Sequence, residues 1–244
     1  LSRGLGDVYK RQVLQHARNI LESHEKMLEE LKTPEIIIGN IRLAMSSSVC
    51  NRYFKDDFLK FRKQFPDIHL IVLESGTEQM FDMLRKNEVD LIFTLDSHIY
   101  DSEFIICAEH KEEVHFIAAA DHPLLQRNEL LLKEICSEDF VLTESNMSYR
   151  KLLNHELATQ SLEILPILEI GNPLQICSLI ENSKMISFLP DFITEDAYRN
   201  GYIKHLPIAD CDVSVWTQLL IHKNKWRSPA LNAFIDFYRE VIGK

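Results

Sequence analysis

The sequence predicts an α/β fold of two Rossmann-like lobes joined by crossover strands and preceded by a long helix, and three observations predict it. From Glu35 onward, short apolar runs rich in β-branched residues alternate with segments of helical period, the pattern that yields parallel sheets covered by helices. The alternation occurs twice with no Gly/Ser-rich linker between the sets, so strands are expected to join them. Ahead of both, Leu14, Ala17, Leu21, His24, Leu28 and Leu31 recur at intervals of three and four.

That leading helix places Glu22, Glu25, Lys26, Glu29 and Glu30 on its outer face, and Pro34 disfavours helical dihedrals at Thr33, so it should end near Lys32. Residues 13–34 are read as a linker and dimerisation helix, with Leu14, Ala17, Leu21, Leu28 and Leu31 as its contact positions; periodicity alone equally suits a helix lying on its own domain. Residues 1–12 lack an initiating methionine and hold two of the seven glycines. They are expected to be a non-native segment, the alternative being a genuine basic linker.

In the first set, Ile36 to Met45 reads as a strand with Gly39 as a break. Phe54, Phe58, Phe61 and Phe65 then form one helical stripe that Pro66 ends. Ile68, Leu70 and Val72 line one face of the next strand. A helix through Met80 and Leu84 follows Gly76, and Asp90 to Thr94 is apolar enough for a strand buried on both faces. The second set runs from a strand at Val114 to Ala120 through Phe140 to Thr143, a helix from Tyr149 to Thr159, and Ile164 to Ile170. Pro173 starts a helix, Met185 to Leu189 is a strand stopped by Pro190, and Ile193 to Tyr198 is helical. Val213 to Ile221 is the last strand, and Ser228-Pro229 caps a closing helix expected to return to the first lobe. The expected division is 35–118 with 219–244 for lobe I and 119–218 for lobe II, with a ligand in the cleft between them.

The 244 residues are 45% apolar and 26% charged, enough for one large or two smaller domains. No apolar run approaches the roughly 20 residues needed to cross a bilayer, so no membrane association and a cytoplasmic location are expected. Five scattered cysteines without C-x-x-C fit reduced thiols better than disulfides or zinc. A formal charge of −10 argues against phosphate contact by these residues, so any DNA reading belongs to residues outside this chain.

Several pieces resemble the LysR-type transcriptional regulators in order: Ala17-Arg18-Asn19-Ile20-Leu21, Gly39-x-Ile41-Arg42-Leu43, Phe65-Pro66-x-Ile68-x-Leu70, Glu88-Val89-Asp90-Leu91-Ile92, His122-Pro123-Leu124, Phe188-Leu189-Pro190 and Ser228-Pro229-Ala230. Two departures stand out. Lys10 occupies the place of a usual glycine, and Ser183-Lys184-Met185 replaces a usual Gly-x-Gly. The resemblance implies lobes of the periplasmic-binding-protein type and a homodimer or homotetramer. It also implies a small-molecule effector and DNA contact only through a missing N-terminal winged helix-turn-helix.

Effector-binding candidates lie where loops meet helix N-termini, because unpaired N–H groups and the helix dipole favour anions there. They are Ser46, Ser47, Ser48 and Thr77, with Thr94 on the buried strand and Thr143, Asn146 and Asn172 on the facing side. Capping alone would also explain the serines. Ser145 stands with the candidates on the facing side, and Arg150 is read as a solvated helix residue in preference to a carboxylate clamp.

No catalytic residue, cofactor or metal is expected. His155-Glu156-Leu157-Ala158-Thr159 begins like a zinc-protease helix but has threonine where the second histidine must stand. Ser148-Tyr149-Arg150-Lys151 fits S-x-x-K without its companion motifs, and no phosphate-cradling glycine loop occurs. A solute-binding protein of a transport system is the alternative function, although the heptad helix has no evident task there.

Overall fold

The computed structural model describes residues 37–54 and 56–243, together with 13, 14, 16–18, 20, 21, 23 and 24. The first lobe runs β1 (Gly39–Met45), α1 (Ser47–Tyr53), α2 (Asp56–Gln64), β2 (Ile68–Glu74), α3 (Thr77–Arg85) and β3 (Leu91–Asp96). β1 is central and parallel to both β2 and β3. β3 is buried from Leu91 to Leu95, as an apolar run without alternation predicts for a strand covered on both sides. One face carries the main core. The other packs Ala44, Ile92 and Leu220 against Met80 and Leu84 of α3.

The long β4 (Phe104–Ala119) then crosses over, and the second lobe contains α4 (Leu132–Ile135), β5 (Val141–Leu142), α5 (Ser148–Thr159), β6 (Leu168–Glu169), α6 (Pro173–Ile180), β7 (Ser187–Pro190), α7 (Asp191–Arg199) and β8 (Ile203–His205). β9 (Ser214–His222) returns and α8 (Pro229–Ile242) closes the chain. β4 pairs antiparallel with β9 from Phe104 opposite His222 to Glu113 opposite Ser214, then with β7 and β8 from Val114 to Ala119. The strand order β2-β1-β3-β9-β4-β7, with β8 also on β4, therefore runs unbroken through both lobes.

Five details differ from the sequence reading. β4 starts at Phe104, well before Val114, because the stretch Glu109 to Glu113 lies in the ribbon between the lobes, where strand pairing needs no apolar alternation. The phenylalanine helix is two helices: Phe54 caps α1 by donating its N–H to Cys50, and α2 begins at Asp56, where Asp56 and Asp57 complement the positive end of a new helix. The stripe survives the break, since Phe54 and Phe58 stack with centroids 5.4 Å apart and Phe61 is fully buried. Only Leu168 and Glu169 of 164–170 pair as strand, Pro166 being unable to donate to a ladder. β1 starts only at Gly39, and β7 includes Pro190, the residue expected to stop it, which also stands at the N-cap position of α7.

The closing helix packs on the first lobe as expected. Phe61 meets Phe234 at 5.3 Å and Phe237 at 5.4 Å, both edge-on, and Tyr238 donates to the Tyr53 carbonyl. Ser228 caps α8 by accepting from Leu231 N–H at 3.1 Å. His122, in the His-Pro-Leu piece, caps a short 3-10 turn and reaches the Lys184 carbonyl at 3.0 Å. Leu14, Ala17 and Leu21 are helical, with Leu14 56% and Leu21 62% exposed; Leu28 and Leu31 lie outside the described residues, as do residues 1–12. Among the described residues, no helix is long and apolar enough to cross a membrane.

Asp90 ties the first lobe together. Arg42 Nη2 donates to it at 2.7 Å, Arg42 backbone N–H at 2.6 Å and Lys225 Nζ at 2.8 Å. Burial works to raise its pKa, but the Arg42 hydrogen bonds and the Lys225 charge outweigh burial and hold the carboxyl below its usual range. A depressed folded-state pKa means stability that is fully present above an unfolded value of about 4 and lost as pH falls through the folded pKa. Denaturant titration below about pH 4 should therefore show falling stability in the parent protein and a flatter profile in Asp90→Asn.

Candidate functional site

The carboxyl ends of the parallel strands face the second lobe, which is where ligands settle in open α/β sheets. Ser46 follows β1 and caps α1, its hydroxyl accepting from Val49 N–H at 3.4 Å. Ser47 is half-buried and Ser48 is buried one residue on. Thr77 opens α3 behind Gly76 and is half-buried. Across from them, Thr143 follows β5, and Tyr149 and Arg150 lie in the first turn of α5.

Three contacts close the lobes on each other at this point. The Ser148 hydroxyl donates to the Leu95 carbonyl at the end of β3, Lys151 Nζ stands 3.2 Å from Glu78 Oε1, and Arg52 Nη1 stands 3.3 Å from Glu195 Oε2. Behind this seam lie buried polar side chains. Tyr149 OH and Thr143 Oγ1 are buried and meet no partner in good hydrogen-bond geometry, with each other and the Ser48 hydroxyl as their nearest polar neighbours. Burial pushes the Tyr149 phenol up to about 12, while the nearby Thr143 and Ser48 hydroxyls pull against that shift.

Arg150 corrects the sequence reading most. It is only 5% exposed, and its Nε and Nη1 are buried without a partner. Burial pushes its pKa down, and Glu169 is the charge that opposes the shift, with no ion pair formed between them. A cation in the first turn of a helix also sits at the positive end of the dipole. A buried guanidinium with neither partner nor favourable dipole is costly unless an anion completes it. The sequence did carry a signal, namely an arginine in the first turn of a strand-following helix, but exposure is the commoner fate of arginine and decided the reading.

The remaining candidates are placed differently. Thr94 is fully buried, its hydroxyl donating to the Gln218 carbonyl at 3.4 Å within the sheet. Asn172 is exposed and caps α6, accepting from Leu174 N–H at 3.0 Å. Ser145 and Asn146 are exposed on the loop before α5.

Two α/β lobes joined by a paired-strand hinge, with unpartnered polar groups buried at their seam, define a two-lobed ligand-sensing domain. The model of the LysR substrate binding domain matches residues 37–243, and the chain belongs to that family. Among its relatives is the uncharacterized HTH-type transcriptional regulator YwqM of Bacillus subtilis, 29% identical over 211 residues, covering 84% of this chain and 69% of that protein. The CcmR regulatory domain of Synechocystis PCC6803, solved in complex with 2-PG, superposes with a TM-score of 0.71 at 19% identity, covering 84% of this chain and 97% of that one. The effector-binding domain of QuiR in complex with shikimate gives 0.68 at 19% identity, covering 85% and 98%. The chain is the sensing part of a transcriptional regulator and not an enzyme.

Proposed function

We propose that the chain senses an effector carrying a carboxylate or similar oxyanion, seated between the lobes against Arg150, Thr143, Tyr149 and the Ser46–Ser48 turn, with Thr77 at its edge. The observation that carries this reading is the buried Arg150 side chain, whose Nε and Nη1 have no partner, in the helix turn that also holds Tyr149. The two ligands named with related domains, 2-PG and shikimate, point the same way. In this reading lobe I comprises 35–118 with 219–244 and lobe II comprises 119–218. The effector acts by binding one lobe arrangement better than another, and the bias is relayed through residues 13–34 to an N-terminal DNA-binding domain. Thr94 and Asn172 serve the sheet and the α6 cap, and Asn146 the loop.

Calorimetric titration with the carboxylate that most raises the melting temperature tests the assignment. Ser48→Ala and Thr143→Val are each expected to weaken binding by about tenfold, the worth of one hydrogen bond. Thr94→Val should leave affinity unchanged and lower stability by about 1 kcal/mol. Equal affinity in the first two variants would remove the seam from the site.

We further infer that the chain forms dimers or tetramers through the helix bearing Leu14 and Leu21, whose apolar side chains are largely exposed in the single chain. Light scattering at micromolar concentration should give an even multiple of the 28.5 kDa chain, and Leu14→Glu with Leu21→Glu should lower it. A parent protein that stays monomeric would contradict this.

A further inference from the structure

Three ligand-type side chains meet on the second lobe from elements far apart in sequence: His115 in β4, Asp191 in the first turn of α7 and His205 in β8. His115 Nδ1 stands 2.7 Å from Asp191 Oδ1, and His205 Nε2 stands 3.6 Å from the same oxygen. All three ligand atoms lie within 4.8 Å of one another, the sole such group of histidine, cysteine and acidic side chains among the described residues. The two imidazoles are stacked, with centroids 4.2 Å apart and planes 13° from parallel.

Topology makes the cluster. In the antiparallel pair of β4 and β8, Ile117 faces His205, so His115 is a diagonal neighbour of His205 on the same face. On the other edge His115 faces Leu189 of β7, and the chain turns after Pro190 to deliver Asp191.

A hydrogen bond between His115 and Asp191 explains one contact and leaves the other unexplained. At 3.6 Å, His205 Nε2 is too far from the carboxylate for a hydrogen bond, yet the ring is held there by its stacking on His115 and on Tyr198, 4.6 Å away. Glu113 adds negative charge beside His115.

We propose that His115, Asp191 and His205 form a binding site for a divalent transition-metal ion, with water completing its coordination. A tetrahedral ion held at about 2.0–2.2 Å from each ligand needs donor atoms roughly 3.3–3.5 Å apart. The observed separations bracket that value, and the half-exposed Asp191 and His115 side chains have room to part. Two imidazoles and one carboxylate favour Zn2+, Ni2+ or Fe2+ over Mg2+ or Ca2+. The ion would pin α7 to β4 and β8, and α7 also carries Glu195, which reaches Arg52 of the first lobe.

Calorimetry with zinc chloride alone on the full chain, stripped with a chelator, tests the proposal. One ion per chain is expected, with binding weakened by at least about tenfold in His115→Ala and in His205→Ala. His98→Ala, at the separate His98–Glu109 pair, should bind as the parent does. His205→Gln keeps a polar side chain of similar size should the alanine variant fail to fold. No zinc binding by the parent, binding unchanged in both cluster variants, or binding lost in His98→Ala would overturn the assignment.

Discussion

Replacing Arg150 by methionine is expected to stabilise the unliganded protein while removing most of its affinity for an anionic effector. The two effects share one cause. The Arg150 Nε and Nη1 are buried without a partner, so a side chain of similar length and no charge relieves a desolvation cost. Replacing buried ionic groups by apolar ones of similar size is neutral or stabilising by roughly 1–4 kcal/mol, which places the expected gain. With effector bound, the same change deletes one side of a desolvated, charge-assisted pair, a loss of about 2–5 kcal/mol. Affinity should then fall by roughly thirtyfold to several thousandfold. Chemical denaturation without ligand reads the first effect, and calorimetry reads the second. A variant both less stable and unchanged in affinity would make Arg150 a structural residue.

Phe61→Ala is expected to cost about 3–5 kcal/mol, the range for truncating a fully buried phenylalanine. Phe61 is 1% exposed and sits at the centre of an aromatic group with Phe65, Phe234, Phe237 and Tyr238. Three of those four belong to α8, the last element of the chain, so the cavity would also loosen the helix that closes the first lobe. Phe58→Ala, about one helical turn away on a half-buried ring, should cost clearly less. Urea unfolding of both variants checks the contrast, and equal losses would mean that α8 packs elsewhere in solution.

Elements whose side chains face a core were legible in the sequence. The run Asp90 to Thr94, the alternation of Ile68, Leu70 and Val72, and the Ser228-Pro229 cap each follow from local sequence, and each stands in the structure within a residue or two. The first half of β4 was not legible, because Glu109, His110 and Lys111 are exposed in a ribbon held by pairing with β9 and not by a buried face. The break at Phe54 hid inside a stripe whose spacing continues across it. Loop positions of the candidate site could be read from strand and helix ends, which is how Ser46, Ser48 and Thr143 came forward. The burial of Tyr149 and Arg150 could not, since it depends on packing between segments far apart in sequence, as where Ser148 meets the Leu95 carbonyl 53 residues away. The His115, Asp191 and His205 cluster is further still from sequence, being assembled by strand register alone.

A thermal-shift panel of small carboxylates, each paired with its own neutral amide, tests most directly whether the seam between the lobes holds an anion. Ligand that binds only the folded state must raise its apparent stability. At least one carboxylate should raise the melting temperature of the parent protein, its amide should not, and the rise should vanish in Arg150→Met. Stabilisation by amides as strong as by acids, a shift that survives loss of Arg150, or a panel that stabilises nothing would contradict an anion-sensing cleft.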